Sequence, residues 1–411
     1  MQGKQPLNGY KTTILTPLLF SMDTLEQAFK WVCGLLKEYS ANSDIWRLRI
    51  RWNSIKDGLL KQLNDGSYTF DMLERYEFDD ATISLWSSQD MIALKLIAQA
   101  LAARMDDHIP QSCYHIKDRG GLKRAVNHTQ AALSEHHYVM RSDIKSYYQS
   151  IRFDVLMGII EPHVHHLVLL TLLRKALQRT ETRGGNFYDY DDKGIPKGSP
   201  LSPILGAIAL MPLDKAIGQI KGVFYARYMD DWVVLTKSKT ALRKVVKITH
   251  KVVASLQLQL HPSKTYIGKI AHGFNFLGYY LDDQKILPSK ETLRRFHERG
   301  AALYEPSQYK RNVSRQHKSN PHGRDISEYM VNEPAPTEED VQSILTQLLV
   351  SASQRPGALA TMRQYVRKWA SWLALGMSTI KEFETSVQTL LPSLFSCLRS
   401  GAMAEAMGHC Q

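Results

Sequence analysis

The chain has 411 residues, 44% hydrophobic and 22% charged, a composition that supports a sizeable core and excludes a globally disordered chain. Lysine plus arginine exceeds aspartate plus glutamate by 52 − 40 = 12, so a polyanionic partner is expected, nucleic acid before a membrane surface. The four cysteines (Cys33, Cys113, Cys397, Cys410) form no C-x-x-C pair, which argues against a zinc ribbon or redox pair and fits a reducing, cytoplasmic compartment. No apolar run is long enough to span a bilayer, and the N-terminus lacks the apolar core and cleavage site of a leader, so no membrane partner is expected.

In chain order, Leu25, Phe29, Val32, Leu35 and Leu36 recur at helical spacing and predict a helix over residues 22–39. A second helix ends before a turn at "NDGS". Residues 83–105 contain a long amphipathic helix entered at Ser87 and Ser88. The basic "HIKDRGGLKRAV" is broken by glycine and reads as a loop entering a helix. "YVMRSDIKSYY" reads as a strand running into a turn, and residues 153–177 as helix. A polar loop, "QRTETRGGNFYDYDDKGIPKGSPLSP", leads into a helical "ILGAIALMPLDKAIG". Two strands flank Asp230 and Asp231. A basic amphipathic helix over residues 240–260 and short strands at "FNFLGYYLD" and "KILP" follow. Residues 290–324 carry nine lysines or arginines against three acids, which suits contact with a nucleic-acid backbone. An acidic linker, "VNEPAPTEED", precedes helical segments. Helices and strands are mixed rather than strictly alternating, which predicts an α+β fold with a helical C-terminal part.

The chemistry is concentrated in carboxylates. "YARY" and "WVVLT" are good strand sequences, and a tight turn between them projects Asp230 and Asp231 from a hairpin tip. Two carboxylates about 4 Å apart repel by roughly 4 kcal/mol at an effective dielectric of about 20. A divalent cation removes that cost; a solvated turn is the bland alternative. Asp143, at the end of "YVMRSD", adds a second strand-end acid. Two such sites that meet across a sheet are what two-metal phosphoryl transfer needs, and Mg²⁺ prefers a few carboxylates plus substrate phosphates.

"YMDD" between two apolar strands, preceded in order by "DIKSYY" and "GIPKGSPLSP", resembles the palm of prokaryotic reverse transcriptases. The resemblance implies a right-hand polymerase fold: an N-terminal helical extension (residues 1–67), fingers and palm (68–288) and a basic, helical thumb (289–411). It implies that Asp143, Asp230 and Asp231, with the Ile144 carbonyl, hold two Mg²⁺ ions, for which Mn²⁺ can substitute. Tyr148 falls at the family's aromatic steric gate, which favours dNTPs, and Met229 lies near the primer terminus. Pro196, Lys197 and Gly198 belong to the block that packs the incoming nucleotide, and Ser202 and Pro203 to its template side; Lys197 departs from the usual glutamine. Lys264 in "HPSKT" resembles a lysine near the triphosphate, able to protonate pyrophosphate or hold a phosphate. Phe276, Leu277 and Gly278 resemble the hairpin that supports the primer. Lys117, Arg119, Lys123 and Arg124 lie where basic residues reach triphosphate or template phosphates. Lys290, Arg294, Arg295, Lys310 and Arg311 are expected to track template–primer backbone.

The compact chain is most similar to stand-alone "unknown group" enzymes, including those of bacterial anti-phage defence. That likeness implies a dedicated noncoding RNA as template, dNTPs as substrates and a DNA product, and leaves oligomerisation open. The alternatives are a template-independent or protein-primed DNA polymerase on the same fold, or a catalytically silent RNA-binding module. Two other signals are discounted. "DYDDKG" imitates a calcium loop but has Pro200 where a bidentate glutamate is needed. "HVHH" lacks companion ligands and reads as helix surface. Trp369 and Trp372 read as helical core.

Overall fold

The computed structural model describes residues 18–78, 81–188, 192–196, 198–283, 285–304, 335–353 and 358–374. The chain divides into two compact units: Met1–Asp107 with Ile151–Leu205, and His108–Ser150 with Gly206–Gln411.

The first unit begins with α1 (Met22–Leu35) and α2 (Asp44–Asp65). Ser21 and Thr24 close a capping box on α1, and Gly66, with φ 77°, ends α2 in the left-handed region. Next come β1 (Leu73–Phe78), β2 (Ala81–Leu85) and α3 (Ser88–Met105). Contrary to the amphipathic expectation, α3 buries Met91, Ile92, Ala93, Leu94, Leu96 and Ile97, apolar on nearly every side. The reason is that α1, α2 and a later helix of the same unit all pack against it.

The second unit opens with α4 (Gly121–Leu133), β3 (Tyr138–Ser142) and the single turn α5 (Tyr147–Ser150). The chain then returns to the first unit through α6 (Phe153–Ile160) and α7 (Leu167–Leu177), where a break at residues 161–166 divides the expected single helix. His166 caps α7, its Nδ1 accepting from the Leu169 N–H at 3.4 Å, so the histidine cluster lies at a helix start rather than along a helix surface. β4 (Glu181–Arg183) and β5 (Asn186–Tyr188) complete a sheet of order β2-β1-β4-β5.

After α8 (Ser202–Ala209) and α9 (Met211–Gly218), the hairpin of β6 (Val223–Tyr228) and β7 (Asp231–Thr236) forms, followed by α10 (Lys239–Ser255). The last expected turn of α10 is lost: Gln257 takes φ 56°, and residues 258–260 lie outside the helix. β8 (Tyr266–Lys269) joins a central antiparallel sheet of order β6-β7-β3-β8. β9 (Phe274–Phe276), β10 (Tyr279–Leu281) and β11 (Ile286–Pro288) form a small sheet.

Strand alternation divides the central sheet. Val139, Ala226, Val233 and Leu235 face a core shared with Ala125, Val126 and Leu133 of α4 and with Phe274, Phe276 and Tyr279. The opposite face packs α9 and α10. In the C-terminal part, α11 (Lys290–Tyr304), α12 (Glu338–Ser353) and α13 (Ala358–Ala374) bury Leu293, Phe296, Leu345, Leu348, Met362 and Val366 together. Trp369 stacks on Phe296 with ring centroids 3.8 Å apart, which meets the core expectation for that tryptophan; the Trp372 side chain lies outside the described set.

Candidate active site

The β6–β7 hairpin places the acids. Tyr228 pairs with Asp231, so Met229 and Asp230 form a two-residue turn. Met229 has φ 58°, the sign such a turn needs at its first central residue and glycine usually supplies. A methionine there stores strain of order 1–3 kcal/mol, which surrounding contacts must hold. Two do. The Met229 N–H donates to His115 Nδ1 at 3.0 Å, and the Met229 carbonyl accepts from Arg227 Nη1 at 2.7 Å. Arg227 is fully buried and forks onto Asp214, with Nε to Oδ1 at 2.6 Å and Nη2 to Oδ2 at 2.5 Å; Nη2 also reaches the Ala207 carbonyl at 3.1 Å. Tyr225 Oη donates to the same Asp214 at 2.7 Å.

β3 lies beside β7 and carries Asp143 just past its last residue, bringing the three acids to one end of the sheet. The Asp230 carboxyl is pushed up to about 7, first by burial and then by the neighbouring Asp143 carboxylate. Asp231 is also raised by burial, against the pull of Arg141, whose Nε lies 3.4 Å from Oδ1. Asp143 Oδ2 receives Lys264 Nζ at 2.5 Å, while its other oxygen, Oδ1, is buried without a hydrogen-bond partner. The "HPSKT" block reaches Asp143 through the backbone. The His261 N–H donates to the Asp143 carbonyl at 2.8 Å, and the Lys145 N–H to the Gln259 carbonyl at 2.9 Å. This pair of bonds leaves the Ile144 carbonyl outside it.

Among the described residues no three His, Cys, Asp or Glu side chains stand together as a ready metal cage. The donor set still fits a hard cation: carboxylate oxygens dominate it, one is an orphaned buried acceptor, and Mg²⁺ completes its shell with water and phosphate.

Tyr148 stands at this end of the sheet. Its Oη lies 3.4 Å from Met229 Sδ, and burial plus the Asp230 charge push its phenol up to about 12. Beneath it, a Cβ on Gly206 would meet Tyr148 Cε1 and Oη at 3.2 Å, and Tyr147 Oη donates to the Gly206 carbonyl. The glycine lets both rings approach the α8 backbone closely.

Other expected residues divide by environment. Lys117 and Arg124 are exposed. Lys123 Nζ is enclosed without a hydrogen-bond partner, and burial lowers its pKa, a setting that suits an anion. Arg119 is buried and its Nη1 donates to the Ile109 and Pro110 carbonyls at 2.8 and 2.5 Å; a guanidinium so engaged holds the loop and is not presented to a nucleotide. In the first unit, Ser202 Oγ donates to the Pro196 carbonyl at 2.7 Å, Gly198 has φ 87°, and Pro203 is exposed. Lys197 lies outside the described residues. Leu277 and Gly278, with φ 50° and 86°, make the two-residue β9–β10 turn, while Phe276 is buried in the core behind it. Lys290 starts α11. Arg294 pairs with Glu291 and Glu298, and Arg295 with Glu291, so their charge is balanced within the helix. Lys310 and Arg311 lie outside the described residues.

Sequence reasoning missed His115, Arg141, Asp214 and Arg227. A signal existed for two of them: Arg227 is the one charged residue of β6, and Asp214 is an acid on the apolar stretch just before it. An arginine inside an apolar strand and an acid on the apolar side of the preceding helix predict a buried pair.

An acid-tipped hairpin beside a second strand-end acid, under an aromatic ring, defines a polymerase palm. Residues 83–281 match the family described as reverse transcriptase (RNA-dependent DNA polymerase), so this part of the chain is a reverse transcriptase domain with the right-hand polymerase fold. The chain is 24% identical over 231 residues to Protein YkfC of Escherichia coli (strain K12), covering 46% of this chain and 60% of that protein. It is 25% identical over 176 residues to an uncharacterised 91 kDa protein in the cob intron of Schizosaccharomyces pombe, covering 41% of this chain and 21% of that one. A partial Cas6-RT-Cas1–Cas2 complex is similar at TM-score 0.36 and 17% identity, covering 58% of this chain and 43% of that chain. The chain thus spans less than two thirds of each of these relatives. Among the described residues no helix is long and apolar enough to cross a membrane.

Proposed function

We propose that the protein is an RNA-directed DNA polymerase that adds dNTPs to a primer 3′-hydroxyl on an RNA template. The observation that carries this reading is the meeting of Asp143 and Asp230 at the hairpin end of a reverse transcriptase domain, with Asp143 Oδ1 buried and unpartnered. Asp143, Asp230, Asp231 and the Ile144 carbonyl would hold two Mg²⁺ ions. These ions, when bound, activate the 3′-hydroxyl and neutralise charge on the pyrophosphate.

The remaining roles fall to side chains. His115 and Arg227 fix the Met229 peptide and therefore the direction of Asp230. Lys264, released from Asp143 when a cation takes that oxygen, is free to give a proton or a hydrogen bond to pyrophosphate. Lys123, with Lys117 and Arg124 on the same loop and helix start, offers the positive charge a triphosphate requires. The Tyr148 ring occupies the space a ribose 2′-hydroxyl would need. We extend the reading to a dedicated noncoding RNA as template in bacterial defence against phage; this extension rests on the sequence resemblance alone.

The test is dNTP incorporation by the purified protein with Mg²⁺, with and without an RNA template–primer, beside Asp230→Asn/Asp231→Asn. Products and copurifying RNA are sequenced. Template-complementary DNA that the double variant cannot make supports the reading. DNA unrelated to the template, or covalently attached to protein, replaces it with untemplated or protein-primed synthesis. RNA binding without synthesis under any condition replaces it with a silent binding module. A single enriched copurifying RNA whose complement appears in the product supports the extension.

A further inference from the structure

α10 carries five lysines or arginines and no aspartate or glutamate. Its Leu242, Val245, Thr249 and Val253 are buried against the sheet side of the helix. Lys239, Arg243, Lys244, Lys247, His250 and Lys251 are all exposed. Four of these cations, Lys239, Arg243, Lys247 and Lys251, recur at every fourth position. They form one row with steps of about 6 Å and a span of about 18 Å. Like charges at that spacing oppose helix formation, and acids on a neighbouring turn would relieve them. Among the described residues none of the five lysines and arginines has a side-chain partner. The nearest such pair is one residue before the helix cap, where Lys237 meets Glu135 at 3.2 Å.

The row lies away from the acids. Arg141 and Asp231 share the strand alternation of Val139, Val233 and Leu235, and so belong to the α4 face of the sheet. α10 packs on the other face, beside α9. The exposed row on α10 and the Asp231 side chain therefore lie on opposite sides of the central sheet.

We infer that the solvent face of α10 is a second RNA-binding surface, holding the backbone of RNA outside the stretch being copied. The inference rests on the proposed use of an RNA template. Charge and spacing select the partner. A row of cations inclined across the helix surface, with no acid between them, matches a repeated anion at regular separation, which is a phosphate backbone. A lipid surface would need apolar side chains among the cations, and none of the exposed large hydrophobic residues among the described ones lies on this helix. An acidic protein patch is also complementary in sign, but its carboxylates are not set at the fixed interval of a phosphate backbone, so the regular spacing favours RNA.

The experiment compares the full chain with Lys239→Gln/Arg243→Gln/Lys247→Gln/Lys251→Gln. Two probes are used: a short RNA–DNA template–primer duplex, and a structured transcript bearing the same copied end. All four side chains are exposed, and thermal unfolding is measured alongside to verify the fold. The expected result is that the variant extends and binds the short duplex like the parent. Its affinity for the transcript should fall roughly tenfold or more at moderate salt, and the slope of log affinity against log salt should be smaller by about 3. Equal affinity and slope for the transcript overturn the inference. So does an equal loss on both probes, which would place the row on the template–primer path. Failure of the parent to extend the short duplex strikes the proposed function instead, while its binding of the transcript still reports on the row. Retention by α10 of a purified acidic protein that the transcript does not displace also overturns it.

Discussion

Arg227 Nη1 and the Met229 carbonyl are 2.7 Å apart, so a fully buried guanidinium holds the peptide immediately before Asp230. The same guanidinium neutralises Asp214 on α9 and touches the Ala207 carbonyl on α8. Three elements are thereby tied to one turn, and that turn holds Met229 at an unfavourable φ of 58°. Removing the arginine alone leaves Asp214 charged and buried, a loss of about 3–5 kcal/mol. Arg227→Met should therefore unfold at clearly lower temperature than the parent. Arg227→Met with Asp214→Leu should recover most of that stability, because both charges leave the core together. Activity should not recover with it, since nothing then holds the Met229 carbonyl. Thermal unfolding and primer extension on the three proteins check this; full activity in the double variant would show that the pair only stabilises the fold.

Tyr148 leads to a prediction about sugar selection. Its hydroxyl makes only a long contact with Met229 Sδ, whereas its ring is held over Gly206. The ring, not the hydroxyl, should exclude ribonucleotides. Tyr148→Phe should keep the ratio of kcat/KM for dNTP over NTP, and Tyr148→Ala should lower it by tenfold or more, about 1.4 kcal/mol of discrimination. Gly206→Ala should reduce kcat/KM for dNTPs as well, because the added methyl comes within 3.2 Å of the ring and must displace it. Single-nucleotide incorporation with matched dNTP and NTP reads all three. A Tyr148→Ala enzyme with parental selectivity would remove the gate from this residue.

The Lys264–Asp143 pair predicts a split between metal and turnover. The ammonium occupies an oxygen that a cation would also use, and it is the opposite charge closest to Asp143. Lys264→Ala should lower the Mg²⁺ concentration needed for half-maximal activity, because a competing charge is gone. It should also reduce kcat by roughly a hundredfold if the lysine supplies a proton to pyrophosphate. Lys264→Arg should restore the parental Mg²⁺ requirement but little of the kcat. Mg²⁺ titrations of initial rate separate the two effects, and an unchanged Mg²⁺ midpoint in Lys264→Ala would dissociate the lysine from the cation site.

What was legible in the sequence follows from how local each signal is. The β6–β7 hairpin, β3 and the order of the acids could be read because strand patterning and the YMDD turn are short-range. The meeting of Lys264 with Asp143, 121 residues apart in sequence, was not legible; the family resemblance placed the lysine only near the triphosphate. Arg119 looked like a phosphate ligand because exposure cannot be read from charge; the loop that follows Pro110 folds back and takes the guanidinium inside. α3 looked amphipathic because its polar residues are few and spaced like a solvent stripe, yet Ser88 and Asp90 are buried and hydrogen-bonded. The Arg227–Asp214 pair needed the packing of α9 on β6, which no single window of sequence contains.

Asp90 gives a prediction about stability and pH. It accepts from Tyr68 Oη at 2.7 Å and from the Asp71 N–H at 3.0 Å, deep in the first unit. Burial outweighs these bonds and pushes its carboxyl up from 3.8 to about 6. The folded chain therefore binds this proton more tightly than the unfolded chain between those two values. The contribution of this group is full below pH 3.8, falls as pH rises through the window, and is level above about 6. The ceiling on that fall is about 3 kcal/mol, at roughly 1.4 kcal/mol per pH unit. Asp90→Asn does not titrate, and it serves as the reference. The stability of the parent relative to Asp90→Asn should be greatest near pH 4 and should shrink toward pH 7. Chemical denaturation of both proteins across that range measures the difference at each pH. A difference that stays constant, or widens as pH rises, would mean that Asp90 is ionised in the fold at no cost and that the Tyr68 and Asp71 bonds outweigh its burial.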